Sequence, residues 1–236
     1  MKIRGERECT ECGTRWSYYE TGSVGCPACG SLRSVGLDER TEHTDTAAAL
    51  DLTPVRNEVD SASTRELATR ARQRCREYIR KRGFISGGEL RDLDDAYLAA
   101  MELSHVADVV ARVSRLGDPG ELYFLSLLAD ADGGVRPAGE DVPRSFHGPR
   151  GLAYASAVDE YRDDLRTWIA DRSTTPTERS LLESLGDHVR RIQLLDGDVE
   201  PGTAERLVDA TRDLANGLRG DDDALVRAGD RLERLE

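Results

Sequence analysis

Lysine is almost absent from this chain: its 236 residues hold two, Lys2 and Lys81, against 31 Arg. Large apolar side chains are also scarce, with Leu, Ile, Val and Phe together numbering 50. No apolar run approaches the ~20 residues a membrane-spanning helix needs. Five Cys are too few for a secreted disulfide scaffold. The opening Met1-Lys-Ile-Arg-Gly-Glu-Arg-Glu has no apolar stretch of the signal-peptide kind. These absences point to a cytoplasmic protein in a reducing compartment, where paired Cys read as metal ligands. The apolar content lies just above the level at which a charged chain stays disordered. A folded chain with a lean core follows, long enough for one or two domains.

Acid is what the chain has in excess. Asp and Glu number 45 against 33 bases, a net charge of −12, and 25 of the acids are Asp. Abundant Asp with almost no Lys is the composition of a halophilic, haloarchaeal cytosolic protein. Net negative charge keeps a protein soluble, and with a Debye length of about 3 Å at molar salt the self-repulsion costs little. A GC-rich genome accounts for Arg over Lys but leaves the acid excess unexplained.

Two Cys-x-x-Cys pairs stand near the start: Cys9-x-x-Cys12-Gly13 and Cys26-Pro27-x-Cys29-Gly30, with thirteen residues between Cys12 and Cys26. Each pair can turn two thiolates onto one cation, the following Gly permitting the tight turn. Four thiolates complete a tetrahedral zinc site with no open position, which makes the metal structural. Between the pairs, residues 14–20 read as an aromatic strand, Thr21-Gly22-Ser23 as a turn, and Val24-Gly25 as the return. The expectation is a zinc ribbon over residues 1–37, one structural Zn2+ held by Cys9, Cys12, Cys26 and Cys29. The metal replaces the core so small a module lacks.

The segment Tyr19-Glu20-x-Gly22-x-Val24-x-Cys26-x-x-Cys29-Gly30 resembles the zinc ribbon that opens archaeal transcription factor B and its relatives. The resemblance covers the first ~30 residues. It implies that the four Cys are the metal ligands and that the ribbon belongs to a type that docks on RNA polymerase. The transcription factors continue with two basic cyclin-like repeats, whereas this chain continues with acidic sequence and no visible repeat. The whole chain also resembles an uncharacterised haloarchaeal family that pairs such a ribbon with a helical C-terminal region. The knuckles are similar to rubredoxin-like iron sites too, and tetrahedral thiolates suit iron as well as zinc. A rubrerythrin-like di-iron bundle would need a second Glu-x-x-His. Glu102-x-x-His105 has no counterpart among His43, His147 and His188.

Residues 38–60 read as an acidic linker, with seven acids to two Arg. From residue 61 to 236 the pattern is helical, predicting an all-α domain with a possible subdivision at the loop 133–150. The expected fold class is therefore mainly α, a helical bundle preceded by a small β zinc ribbon. Ser63-x-x-Glu66 is a capping box, and Leu67, Ala71, Cys75, Tyr78 and Ile79 recur at helical spacing. A second helix is expected over about 88–116, then a short apolar helix around Leu122–Leu128. Later helices are expected at about 151–172, 177–195, 202–219 and 222–235. Residues 133–150, rich in Gly and Pro, form a loop long enough to be functional or a boundary. Lone Cys75 reads as a core residue, and His105 as a packed one.

No nucleophile–base arrangement, P-loop or EF-hand register is visible, so the expectation is a non-enzymatic protein without a small-molecule substrate. One charge anomaly stands out. Residues 65–82 carry eight bases against Glu66 and Glu77, while 83–236 carry a net −14. That basic helix is either an inner face for acidic helices or a surface for nucleic acid or an acidic partner. Salt weakens phosphate contacts steeply, which favours RNA or protein over duplex DNA. The leading expectation is an adaptor binding a protein or nucleoprotein partner through Trp16, Tyr18 and Tyr19, with Arg72, Arg76 and Arg80 as further anchors. The alternatives are a nucleic-acid-binding, transcription-associated protein and an iron-loaded electron carrier.

Overall fold

The computed structural model describes residues 1–113 and 116–235. Positions 114 and 115, within the helix expected over 88–116, lie outside the described residues, as does 236. The chain is mainly α, a helical bundle with a small β region at the N-terminus. It divides into two compact units. One comprises residues 1–48, 80–91 and 164–172, the other 49–79, 92–163 and 173–236.

The first unit holds every strand found among the described residues. β2 (Glu6–Cys9) is central to an antiparallel sheet in the order β3-β2-β4, between β3 (Arg15–Ser17) and β4 (Ser34–Gly36). β1 (Lys2–Ile3) pairs with β5 (Thr41–Glu42). The return strand is not Val24-Gly25, as the spacing suggests. β3 ends at Ser17 and runs into one helical turn, α1 (Tyr18–Thr21), stopped by Gly22 at φ +63. The strand that comes back is β4, beyond the second Cys pair. Tyr19 lies so close to Gly5 that a Cβ there would sit 1.9 Å from its ring. Its hydroxyl is 2.7 Å from Thr41 Oγ1, and both Tyr18 and Tyr19 pack on the His43 ring. A short hairpin, β6 (Ile85–Ser86) and β7 (Glu89–Leu90), turns on Gly87 and Gly88, both at positive φ. This corrects the expected 88–116 helix, whose first residues are hairpin: paired glycines at positive φ favour the reversal. Asp164 stitches the unit together by accepting from Thr44 Oγ1 and from the Phe84 N–H, each at 2.6 Å. The Trp168 indole N–H donates to Gly88 O at 3.0 Å.

The second unit is helical: α2 (Thr53–Arg56), α3 (Thr64–Ile79), α4 (Asp95–Arg112), α5 (Asp118–Asp130), most of α6 (His147–Ile169), α7 (Pro176–Leu194), α8 (Pro201–Leu218) and α9 (Asp222–Glu233). Ser63 and Glu66 cap α3 reciprocally, at 2.9 Å and 3.3 Å, as the sequence foretells. Thr175 and Glu178 do the same for α7. α3 packs along α4, and α8 along α9. Cys75 is fully buried, and burial pushes its thiol up to about 12. The start of α6 presses on a turn at Asp196 and Gly197, both left-handed. A Cβ on Gly151 would stand 2.1 Å from the Gly197 carbonyl oxygen. Gly151→Ala is therefore expected to destabilise the chain by about 1–3 kcal/mol, read as a lower denaturant midpoint. An unchanged midpoint would mean that the turn yields freely.

A charged cluster fills the middle of this unit. Glu102 and Arg150 are 0% and 1% exposed and pair at 3.2 Å. Tyr123 and Tyr154 both donate hydroxyl hydrogen bonds to Glu102, the second at 2.9 Å. Glu205 accepts from Arg150. Arg136 donates to Tyr154 and, at 3.0 Å, to Asp95. Burial pushes the Glu102 carboxyl up, and the Arg150 charge with the two hydroxyls pulls it back.

Candidate metal centre

The two Cys pairs fold into near-identical knuckles. In the first, the Cys9 N–H donates to Thr14 O at 2.9 Å and the Gly13 N–H to Cys9 O at 3.0 Å. In the second, the Cys26 N–H donates to Ser31 O and the Gly30 N–H to Cys26 O, both at 2.9 Å. Gly13 and Gly30 share a φ of +73, a left-handed conformation that favours Gly. The β2–β3 turn carries one knuckle, and the Thr10 N–H, donating to Arg33 O at 3.0 Å, ties it to the segment after the other.

The four Sγ atoms lie within 4.8 Å of one another. Cys9 Sγ is 3.6 Å from Cys29 Sγ, and Cys12 Sγ is 3.5 Å from Cys26 Sγ. Metal–sulfur bonds of about 2.3 Å in a tetrahedron put sulfurs about 3.8 Å apart, so the donor set fits one metal ion. Thiols this close compete for protons. The Thr14 hydroxyl and N–H pull Cys12 down to about 6. Cys29 receives the Ser31 N–H, which favours its thiolate, yet neighbouring sulfurs push it up to about 12. A dication removes that repulsion. Because each ligand thiol must lose its proton, metal affinity is expected to fall with acidification by up to about tenfold per pH unit per thiol. Competition with a chromophoric chelator at pH 6 and pH 8 reads this, and a pH-independent affinity would exclude thiolate ligation.

Among the other residues singled out from sequence, Trp16 is 7% exposed and packs with Cys9 and Cys26. Its register with Arg7 places it on the sheet face shared with Cys9, and its N–H donates to Ser23 O at 3.0 Å. It closes over the sulfurs rather than standing on the surface. Tyr18 and Tyr19 are half-buried against His43. On α3, Arg72 pairs with Asp108 at 2.8 Å, Arg70 pairs with Glu58, and Arg65, Arg74 and Arg76 are exposed. Arg80, beyond the helix, is exposed too. His105 is half-buried, and burial lowers its pKa. The Glu102 cluster escaped the sequence reading, although the nearly continuous apolar run around Glu102 in α4 is the signal of a helix buried on all sides.

No curated protein and no solved structure matches the chain. A family model described as a family of unknown function, DUF7117, matches residues 1–232, and the chain belongs to that family.

Proposed function

We propose that this chain is a non-enzymatic zinc-ribbon protein, an interaction adaptor that binds a protein or nucleoprotein partner in a haloarchaeal cytoplasm. The closed donor set carries the reading. Four thiols fill a tetrahedron and leave no position for substrate, so the metal holds the ribbon in shape. Structural zinc predicts a colourless protein with one zinc per chain, whereas iron–thiolate colour would favour the electron-carrier reading. Affinity capture at native salt, with and without nuclease, tests the role. A discrete protein complex that survives nuclease and is lost in Cys26→Ser supports the adaptor. Capture that is indifferent to Cys26→Ser removes the ribbon from the contact.

Exposed Arg65, Arg74 and Arg76 favour a second reading, nucleic-acid binding through α3. Under it, partners vanish with nuclease, and Arg72, Arg76 and Arg80 changed to Gln abolish capture. Arg72 is half-buried against Asp108, so helix content must be followed in the same variant.

A further inference from the structure

The strand order β3-β2-β4 leaves β4 at an edge of its sheet. The Thr10 N–H donates to Arg33 O at 3.0 Å, and the Leu37 N–H to Glu6 O at 2.8 Å. Residues 33 and 37 therefore face β2, and the alternation of an antiparallel ladder turns the backbone groups of Ser34 and Gly36 outward. Among the described residues, neither outward N–H has a hydrogen-bond partner. The two outward carbonyls are reached at the outer limit of a hydrogen bond. Arg7 Nη2 is 3.5 Å from Ser34 O, and Arg4 Nη1 is 3.3 Å from Gly36 O. An edge with open donors and loosely held acceptors is a template for a further strand.

The two faces beside this edge differ. Gly36 lies opposite Arg7 in the register, and Arg7 Nε donates to Ser34 Oγ at 3.0 Å. A Cβ on Gly36 would stand 2.5 Å from Arg4 Cδ, so Arg4 lies over the same face. No carboxylate pairs with Arg4 or Arg7 among the described residues. The other face carries Val35 and Leu37, 48% and 46% exposed. Glu6 and Glu8 stand one strand in from the edge, and Glu8 is already answered by Arg15. We propose that β4 accepts an extended segment of a protein partner, one that alternates acidic and apolar residues. Successive side chains of a strand point to opposite faces. The acids meet Arg4 and Arg7, while the apolar residues lie on Val35 and Leu37. A guanidinium can engage a carboxylate through two parallel N–H groups, which its long contacts to the edge carbonyls do not match. Such pairs form at hydrogen-bond distance, within the ~3 Å Debye length of molar salt. A second copy of β4 would bring arginine against arginine, so charge guards the edge against self-pairing. The inference rests on the adaptor reading, and it moves the contact from buried Trp16 on β3 to the other edge of the sheet.

Titration of the full chain with acetyl-Asp-Val-Glu-Val-Asp-Val-amide tests the edge, read by amide exchange in nuclear magnetic resonance spectra. At saturation the Ser34 and Gly36 N–H groups are expected to exchange about tenfold or more slowly, as newly paired amides do. The counterpart with Lys in place of each acid should bind about tenfold or more weakly. The same residues arranged as one acidic and one apolar block should also bind more weakly, because alternation is lost. Arg4→Glu, at an exposed position, should cut the preference for the acidic over the Lys peptide by about tenfold, with the β2 and β3 amide signals unchanged. Val35→Thr with Leu37→Thr keeps strand propensity and should weaken the acidic peptide. No saturable binding, binding without protection of the Ser34 and Gly36 N–H groups, or a preference that Arg4→Glu leaves unchanged would overturn the proposal. So would protection of both groups in the free chain that rises with protein concentration, which makes the occupant a second copy. Affinity capture that needs Cys26 but ignores Arg4→Glu would overturn the edge and leave the adaptor standing.

Discussion

Cys26→Ser is expected to abolish metal retention and to melt the strands β2, β3 and β4, while α3, α4, α7, α8 and α9 keep their helicity. The N-terminal sheet has little else to stand on. Its buried apolar cluster is Cys9, Trp16 and Cys26, and two of those three belong to the four-thiol donor set. Structural zinc sites contribute apparent free energies of about 10–16 kcal/mol, as large as the whole stability of an ordinary domain. Losing one buried thiolate leaves the rest uncompensated, and no apolar contact replaces it. Hydrogen exchange read by mass spectrometry should show residues 6–36 exchanging freely, alongside a metal-to-protein ratio near zero. A retained metal, or collapse of helical circular dichroism, would show that the metal does not hold this sheet or that it holds far more.

Arg150→Ala should cost about 3–5 kcal/mol, the range for breaking a buried pair from one side. The penalty comes from Glu102, which keeps its carboxyl in the core with only hydroxyl partners. Burial already pushes that carboxyl up, and without Arg150 nothing cationic opposes it as closely. In the variant, Glu102 then binds a proton in the folded state at pH values where the unfolded chain has lost it. Stability falls as pH rises through that window. Near pH 4 most unfolded chains hold the proton as well, so the deficit is smaller there than at pH 7.5. Denaturant midpoints of variant and parent at the two pH values check this. Glu102→Leu with Arg150→Met removes both charges and should cost less than Arg150→Ala alone. Equal costs, or a deficit that shrinks toward neutral pH, would mean that Glu102 finds water in the variant.

Sequence pattern carries most of the helical unit. The expected later helices fall within a few residues of α6 to α9, because Pro176, Pro201 and Gly220 mark the ends by local chemistry that needs no tertiary information. The clustering of the four Cys is equally readable, since two knuckles are two short-range motifs. What escaped detection is long-range. Asp164 reaches Thr44 and Phe84, and Trp168 reaches Gly88, across separations over which no periodicity speaks. Trp16 lies inside rather than outside because its pairing with Arg7, closed by the turn between β2 and β3, puts it on the sheet face shared with Cys9. The hairpin at Gly87 and Gly88 was hidden by its two-residue strands, too short to show alternation.

That N-terminal unit draws on residues 1–48, 80–91 and 164–172, which has a consequence during synthesis. Both knuckles are complete once Ser31 has left the ribosome, and they can capture a metal ion at that point. The hydrogen bonds that Asp164 accepts and that Trp168 donates form only when another ~140 residues have followed. At roughly 5–20 residues per second that interval is on the order of 10 s. A metal bound by the four thiols would preserve the nascent ribbon through a stretch in which the polypeptide that completes its unit does not yet exist.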